Sequence, residues 1–159
     1  MKEPEVKHLV KEWLQDQNKG CFVEIVKSPV DLKVSEYGKG NQPVWLVEVK
    51  GDQCNPHWRE HFFRGLGQLT SARSRYLEAK ISLALTSYRE YVSLVEEHKA
   101  TFEYLQASVI WVYNKQIYFA DYKSPQFPCP QCGEGIAAIR RHVWSGELMC
   151  PHCESPLRC

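Results

Sequence analysis

No stretch of this 159-residue sequence stays apolar for the ~20 residues that span a bilayer. A membrane partner is therefore not expected. The opening segment, MKEPEVKHLVKEW, lacks the apolar centre of a secretory signal, so a cytoplasmic location is expected. An excess of one charge is missing too. Twenty Lys and Arg stand against 19 Asp and Glu, a formal net charge of +1. That argues against a protein that merely coats nucleic acid through a global basic field, and says little about an enzyme. There is no internal repeat and no low-complexity tract. What is present is an ordinary globular mixture, 43% hydrophobic and 25% charged. Seven cysteines without an export signal point to a reducing compartment, and to metal rather than disulfides.

Periodicity divides the first four-fifths of the chain into alternating elements. Residues 4–17 carry Val6, Leu9, Val10, Trp13 and Leu14 on one helical stripe, with Pro4 suited to the first turn. CFVEIV (21–26) and PVDLKV (29–34) are expected as strands, and YGKGNQP (37–43) as the turn into a third, PVWLVEVK. The three are expected to form an antiparallel meander. Residues 57–80 read as a long helix or a broken pair, 81–87 as a strand, and 89–106 as another helix. Residues 108–122 read as a hairpin turning at Asn114 and Lys115. This order implies an α/β fold around one mixed sheet with helices against it. One α/β unit is expected over residues 1–124, with a small cysteine unit over 125–159.

The third strand poses a chemical question. Val44, Leu46, Glu48 and Lys50 share one face, and the strand is apolar on both faces until its tip. Burying a carboxylate and an ammonium there costs several kcal/mol each unless they are paired or metal-bound. A Glu48–Lys50 ion pair is the plain explanation. Asp31, in the preceding strand, adds a second one. If the two strands are neighbours, Asp31 and Glu48 converge at one end of the sheet. Two nearby carboxylates repel, and hard oxygen ligands beside a lysine suit Mg²⁺ or Mn²⁺.

PVDLKV…VWLVEVKG, within residues 4–113, resembles the PD-(D/E)xK nuclease superfamily, whose core is the restriction-endonuclease-like α-β-β-β-α-β arrangement. Asp31 matches its aspartate, and Glu48 and Lys50 match its acidic and lysine positions. The sequence departs from the motif in placing Val30 between Pro29 and Asp31. The resemblance implies a divalent-metal-dependent DNA endonuclease that leaves a 5′-phosphate and a 3′-hydroxyl. In that role Asp31, Glu48 and the Val49 carbonyl would hold Mg²⁺ or Mn²⁺, and Lys50 would assist the attacking water. The family often adds a glutamate from the first helix. Glu5 and Glu12 lie on one flank of the apolar stripe, and Glu5 is preferred. The family's helix start after the catalytic strand corresponds to GLGQL, which makes Gln68 a partner for Lys50 or a phosphate. Arg73 and Arg75 on that helix, and Arg140 and Arg141 near the C-terminus, are expected to touch the DNA backbone. Cutting both strands would suit a homodimer.

CPQCG (129–133) and CPHC (150–153) form the pattern Cys-x2-Cys-x17-Cys-x2-Cys. Four thiolates at this spacing close a tetrahedral zinc site. The ligands are Cys129, Cys132, Cys150 and Cys153. The segment resembles a zinc ribbon, a unit too small to fold without its metal. It would help hold DNA, bind a protein partner or cap the core. Cys54, His57 and His61 show only three ligands and read as structural or DNA-contacting. The rival to an enzyme is a nuclease-like module that binds nucleic acid or protein through the ribbon without cutting.

Overall fold

A computed structural model describes residues 1–38, 42–51, 57–87, 89–136, 140–141 and 148–157. Its centre is a six-stranded sheet with order β1-β2-β3-β4-β5-β6. The strands are β1 (Cys21–Ile25), β2 (Leu32–Glu36), β3 (Pro43–Lys50), β4 (Lys80–Thr86), β5 (Ala107–Tyr113) and β6 (Gln116–Ala120). The first three pair antiparallel, β3-β4-β5 run parallel, and β6 returns antiparallel. Each parallel step needs a crossover, and helices supply it: α2 (Trp58–Arg75) before β4, then α3 (Arg89–Glu97) and α4 (Lys99–Leu105) before β5.

Helices cover both faces, so the central strands are apolar on both. Helix α1 (Glu3–Gln17) lays Val6, Val10 and Leu14 on one face, over Leu32, Val34, Val47, Val49, Ala84 and Ile110. On the other face, Leu46, Ile81, Leu83, Val109 and Trp111 pack with Phe62, Leu66, Leu69, Tyr91 and Phe102. The α-β-β-β-α-β order expected of the core is the observed order α1-β1-β2-β3-α2-β4.

Three boundaries differ from the sequence expectation. Strand β2 begins at Leu32, so Asp31 lies just before the strand rather than inside it. The helix expected over 89–106 is two helices separated at His98. The break lets Tyr91, Leu94 and Val95 of one helix and Phe102 and Leu105 of the next all reach the same core, a tertiary demand that no local breaker residue announces. Helix α2 is single and stops at Arg75. The hairpin turn falls at Asn114 and Lys115 as expected, with φ of 48° and 62°. Two left-handed residues in succession match the twist of the flanking strands.

The C-terminal segment is not detached from this body. Phe127 is buried with its ring 5.6 Å from those of Trp111 and Tyr113. The Trp111 indole donates to the Pro125 carbonyl at 2.9 Å, and Gln126 donates to Glu96 of α3, also at 2.9 Å. Phe127, Cys129, Ile136, Cys150 and Leu157 belong to the same apolar cluster as the α2–α4 face. No helix among the described residues is long and apolar enough to cross a membrane.

Candidate functional site

At the tip of β3 the alternation of side chains splits the strand's duties. Val47 and Val49 go under α1, while Leu46, Glu48 and Lys50 take the face covered by α2. Glu48 is 1% exposed and Lys50 6%. Lys50 Nζ donates to Glu48 Oε1, and to Gln68 Oε1 of α2 at 3.4 Å. Gln68 in turn points its Nε2 at the Pro29 carbonyl, 3.5 Å away. Helix α2 can come this close because of Gly65. A Cβ there would lie 3.0 Å from Leu83 Cδ1 and 3.2 Å from Lys50 Cε. Gly67 meets nothing within 4 Å, so only one glycine of GLGQL serves close approach.

Asp31 reaches the same strand tip from the β2 side. Its Oδ2 accepts from the Val49 N–H at 3.0 Å, and its Oδ1 accepts from Lys7 of α1 at 2.7 Å. Glu3 Oε1 lies 3.9 Å from the same lysine. The first turn of α1 rests directly on the end of β3. A Cβ on Gly51 would sit 2.3 Å from the Glu3 backbone nitrogen, so this junction excludes any side chain at 51. Residues 52–56, which include Cys54, lie outside the described residues.

The structure thus gathers Asp31, Glu48, Lys50 and Gln68 and separates Glu5 from them. Glu5 is exposed and spends its carboxylate on the Lys2 N–H, 2.9 Å away, capping the helix. Glu12 is exposed and pairs with His8 at 3.1 Å. The carboxylate that α1 does bring near is that of Glu3, together with Lys7. Sequence reasoning missed both. Their spacing of four was visible, but nothing local told which flank of α1 meets the strand tip.

Burial dominates the electrostatics here. Desolvation holds the Glu48 carboxyl up to about 7, against the hydrogen bond and charge of Lys50, and the charges of Asp31 and Glu3 push the same way as burial. Glu48 Oε2 is buried without a hydrogen-bond partner among the described residues. An orphaned buried carboxylate oxygen fits a cation. The acids do not by themselves converge, however. Among the described residues, the ligating group whose atoms all lie within 4.8 Å of one another is the cysteine set. Lys7 and Lys50 hold Asp31 and Glu48 in separate pairs.

Cys129, Cys132, Cys150 and Cys153 form that set. The sulfurs of Cys129 and Cys153 are 3.7 Å apart, and those of Cys132 and Cys150 4.0 Å. A tetrahedral ion with bonds of about 2.3 Å needs sulfurs about 3.8 Å apart, so the cluster could hold zinc. Both knuckles are built alike. The Gln131 and His152 N–H groups each donate to the first sulfur of their knuckle at 3.4 Å. Each knuckle then turns through a left-handed residue, Gly133 at φ 76° and Glu154 at φ 57°. Hydrogen bonding by Ser155 brings the Cys153 thiol down to about 6, whereas burial holds the Cys150 thiol up, so without an ion the first negative charge of the set falls on Cys153. His152 is exposed, with its Nε2 3.2 Å from the Gly135 carbonyl.

The basic residues fare differently. Arg73 is half-buried and donates to the carbonyls of Leu77 at 2.7 Å, Ala79 at 2.9 Å, Leu105 at 3.1 Å and Gln106 at 3.4 Å. It clasps the ends of α2 and α4 to the start of β4, so much of its donor capacity serves the fold. Arg73→Ala is expected to cost about 2–4 kcal/mol of unfolding free energy in urea titration. Arg73→Lys should recover only part, because one ammonium cannot span a planar fork's partners. Arg75 is exposed. Arg140 and Arg141 form a short strand that pairs with 148–149, and their side chains lie outside the described residues.

The fold is therefore α/β, a mixed six-stranded sheet flanked by helices, with a C-terminal four-cysteine cluster that could hold a metal. No protein-family model matches the sequence, and no curated protein matches it. Among solved structures, the chain is similar to the crystal structure of an XisH family protein from Nostoc punctiforme. The two share 18% identity over 73% of this chain and 99% of that one, with a TM-score of 0.47.

Proposed function

We propose that the chain is a divalent-metal-dependent DNA endonuclease whose cysteine ribbon is held by structural zinc. The observation that carries this reading is the Glu48 carboxylate. It is buried at a strand tip with one oxygen unpartnered among the described residues, Lys50 on the other, and Asp31 close enough to raise its pKa. A structural ion pair would not need the orphan oxygen or the second acid. Asp31 and Glu48, with the Val49 carbonyl and with Glu3 in place of Glu5, would hold Mg²⁺ or Mn²⁺. A cation there would supply Lewis acidity at the scissile phosphodiester. Lys50, steadied by Gln68, would donate a hydrogen bond to the attacking water or the phosphate as charge grows. The ribbon stands beside β5 and β6, whose neighbour β4 adjoins the site strand, so it can extend the surface that meets DNA.

A second reading has its own support. The acids are neutralised by lysines and do not gather into a ligand set, as suits a module that binds nucleic acid or protein through its ribbon without cutting. Supercoiled, linear, nicked, flapped, four-way and single-stranded DNA, and RNA, incubated with Mg²⁺ or Mn²⁺, separate the two. Cleavage that disappears in Asp31→Asn supports the enzyme. Binding without cleavage of any substrate supports the module. Equal cutting by the Asp31→Asn chain removes the catalytic assignment. The oligomeric state of the cleaving species would show whether two copies act on the two strands.

A further inference from the structure

Lys7 belongs to no motif, yet its ammonium lies 2.7 Å from Asp31 Oδ1. Its position is constructed. Glu3 and Lys7 are one helical turn apart, so both project from the same flank of α1 over the end of β3. The Lys7 and Asp31 side chains are only 21% and 19% exposed, so this is not a loose surface pair. The other Asp31 oxygen is taken by the Val49 N–H. Oδ1 is therefore the oxygen left for a cation, and an ammonium stands on it.

We propose that Lys7 is the built-in counter-cation of this site, occupying the place beside Asp31 that a divalent metal must take, and so sets how tightly the metal binds. The inference rests on the reading that Asp31 and Glu48 hold such a metal, and the buried Glu48 oxygen without a partner among the described residues is the independent sign that a cation is wanted there. A hard divalent ion sits about 2.1 Å from its oxygen ligands. An ammonium 2.7 Å from the same oxygen competes for it and repels the ion. Without metal, the lysine offsets the mutual repulsion of Glu3, Asp31 and Glu48, so the fold does not depend on metal at this site. Once displaced, its flexible stem leaves the charge free to move away.

The test is titration calorimetry of the zinc-loaded full chain with Mn²⁺. Lys7→Met keeps the bulk and removes the charge, and should bind Mn²⁺ about tenfold more tightly or better. Lys7→Arg should not tighten binding. In thermal melts without Mn²⁺, Lys7→Met should be less stable than the unaltered chain, and saturating Mn²⁺ should raise its melting temperature by more. Equal or weaker Mn²⁺ binding by Lys7→Met, still abolished by Asp31→Asn, would overturn the role of Lys7 and leave the metal site standing. Absence of any Asp31-dependent Mn²⁺ binding in both chains would overturn the metal reading and this inference together.

Discussion

Stripping the metal from the four cysteines is expected to release one equivalent of zinc per chain and to lower the stability of the whole chain, not of the ribbon alone. Structural zinc contributes roughly 10–16 kcal/mol to the folding of small cysteine units. Among the described residues from Phe127 to Leu157, the strands are only two residues long. Yet Phe127, Cys129, Ile136, Cys150 and Leu157 complete the apolar cluster beneath α2–α4. If the knuckles open, Trp111, Tyr113 and Tyr118 lose the ring of Phe127. A drop of about 10 °C or more is expected, at roughly 2–4 °C per kcal/mol for a chain of this size. Metal release read with a chromogenic chelator, and melting before and after, check this. Cys150→Ser should reproduce the loss. A chain that carries no metal as isolated and melts unchanged with chelator would sink the zinc assignment.

The second large effect is expected on catalysis, from Lys50→Met. Removing a group that donates protons or hydrogen bonds at a reacting centre typically lowers rate by about 10²–10⁴-fold. Here two losses coincide. Lys50 no longer meets the substrate, and Glu48 loses the bond and charge that oppose its protonation. Melting of the variant should accompany the assay, because the change leaves a buried carboxyl without its partner. Gln68→Ala should do less, since it removes only long contacts, 3.4 Å to Lys50 and 3.5 Å to the Pro29 carbonyl. The pH dependence follows from the same carboxyl, held up to about 7 in the metal-free protein. Mn²⁺ must compete with that proton, so Mn²⁺ binding and cleavage should weaken about tenfold per pH unit below about 7. The stability effect has the opposite sign. A carboxyl with a raised native pKa contributes stability that is full below its unfolded value of about 4.5 and lost as pH rises through about 7. Metal-free protein should therefore lose Glu48's contribution on going from pH 5 to pH 8, and Mn²⁺ should restore stability most at pH 8. A cleavage rate flat from pH 5.5 to 8, or full activity in Lys50→Met, would remove these residues from the mechanism.

Interactions that close within a few residues could be read before any folding. The two cysteine knuckles are of this kind, because a spacing of three residues lets both sulfurs of a knuckle reach one ion whatever surrounds them. The tip of β3 is another. A strand's period of two puts Glu48 and Lys50 on one face as soon as the segment is a strand, and the turn chemistry of Asn114 and Lys115 is equally local. Asp31 was legible because antiparallel neighbours bring the start of β2 to the end of β3.

Only tertiary structure decided which flank of α1 meets that tip. At about 100° per residue, Glu3 and Glu5 point roughly 160° apart, so choosing between them requires the roll of the helix on the sheet. Gly51 sets that roll by admitting the Glu3 backbone where no side chain fits, and with it come Glu3 and Lys7. The clasp made by Arg73 is of the same origin. Its four carbonyl partners lie on two segments, 77–79 and 105–106, that meet only in the folded chain. Composition and spacing determined which chemistry the chain carries; the packing of α1 and α2 against the sheet decided which side chains share it, because helix orientation is a property of the contact and not of the helix.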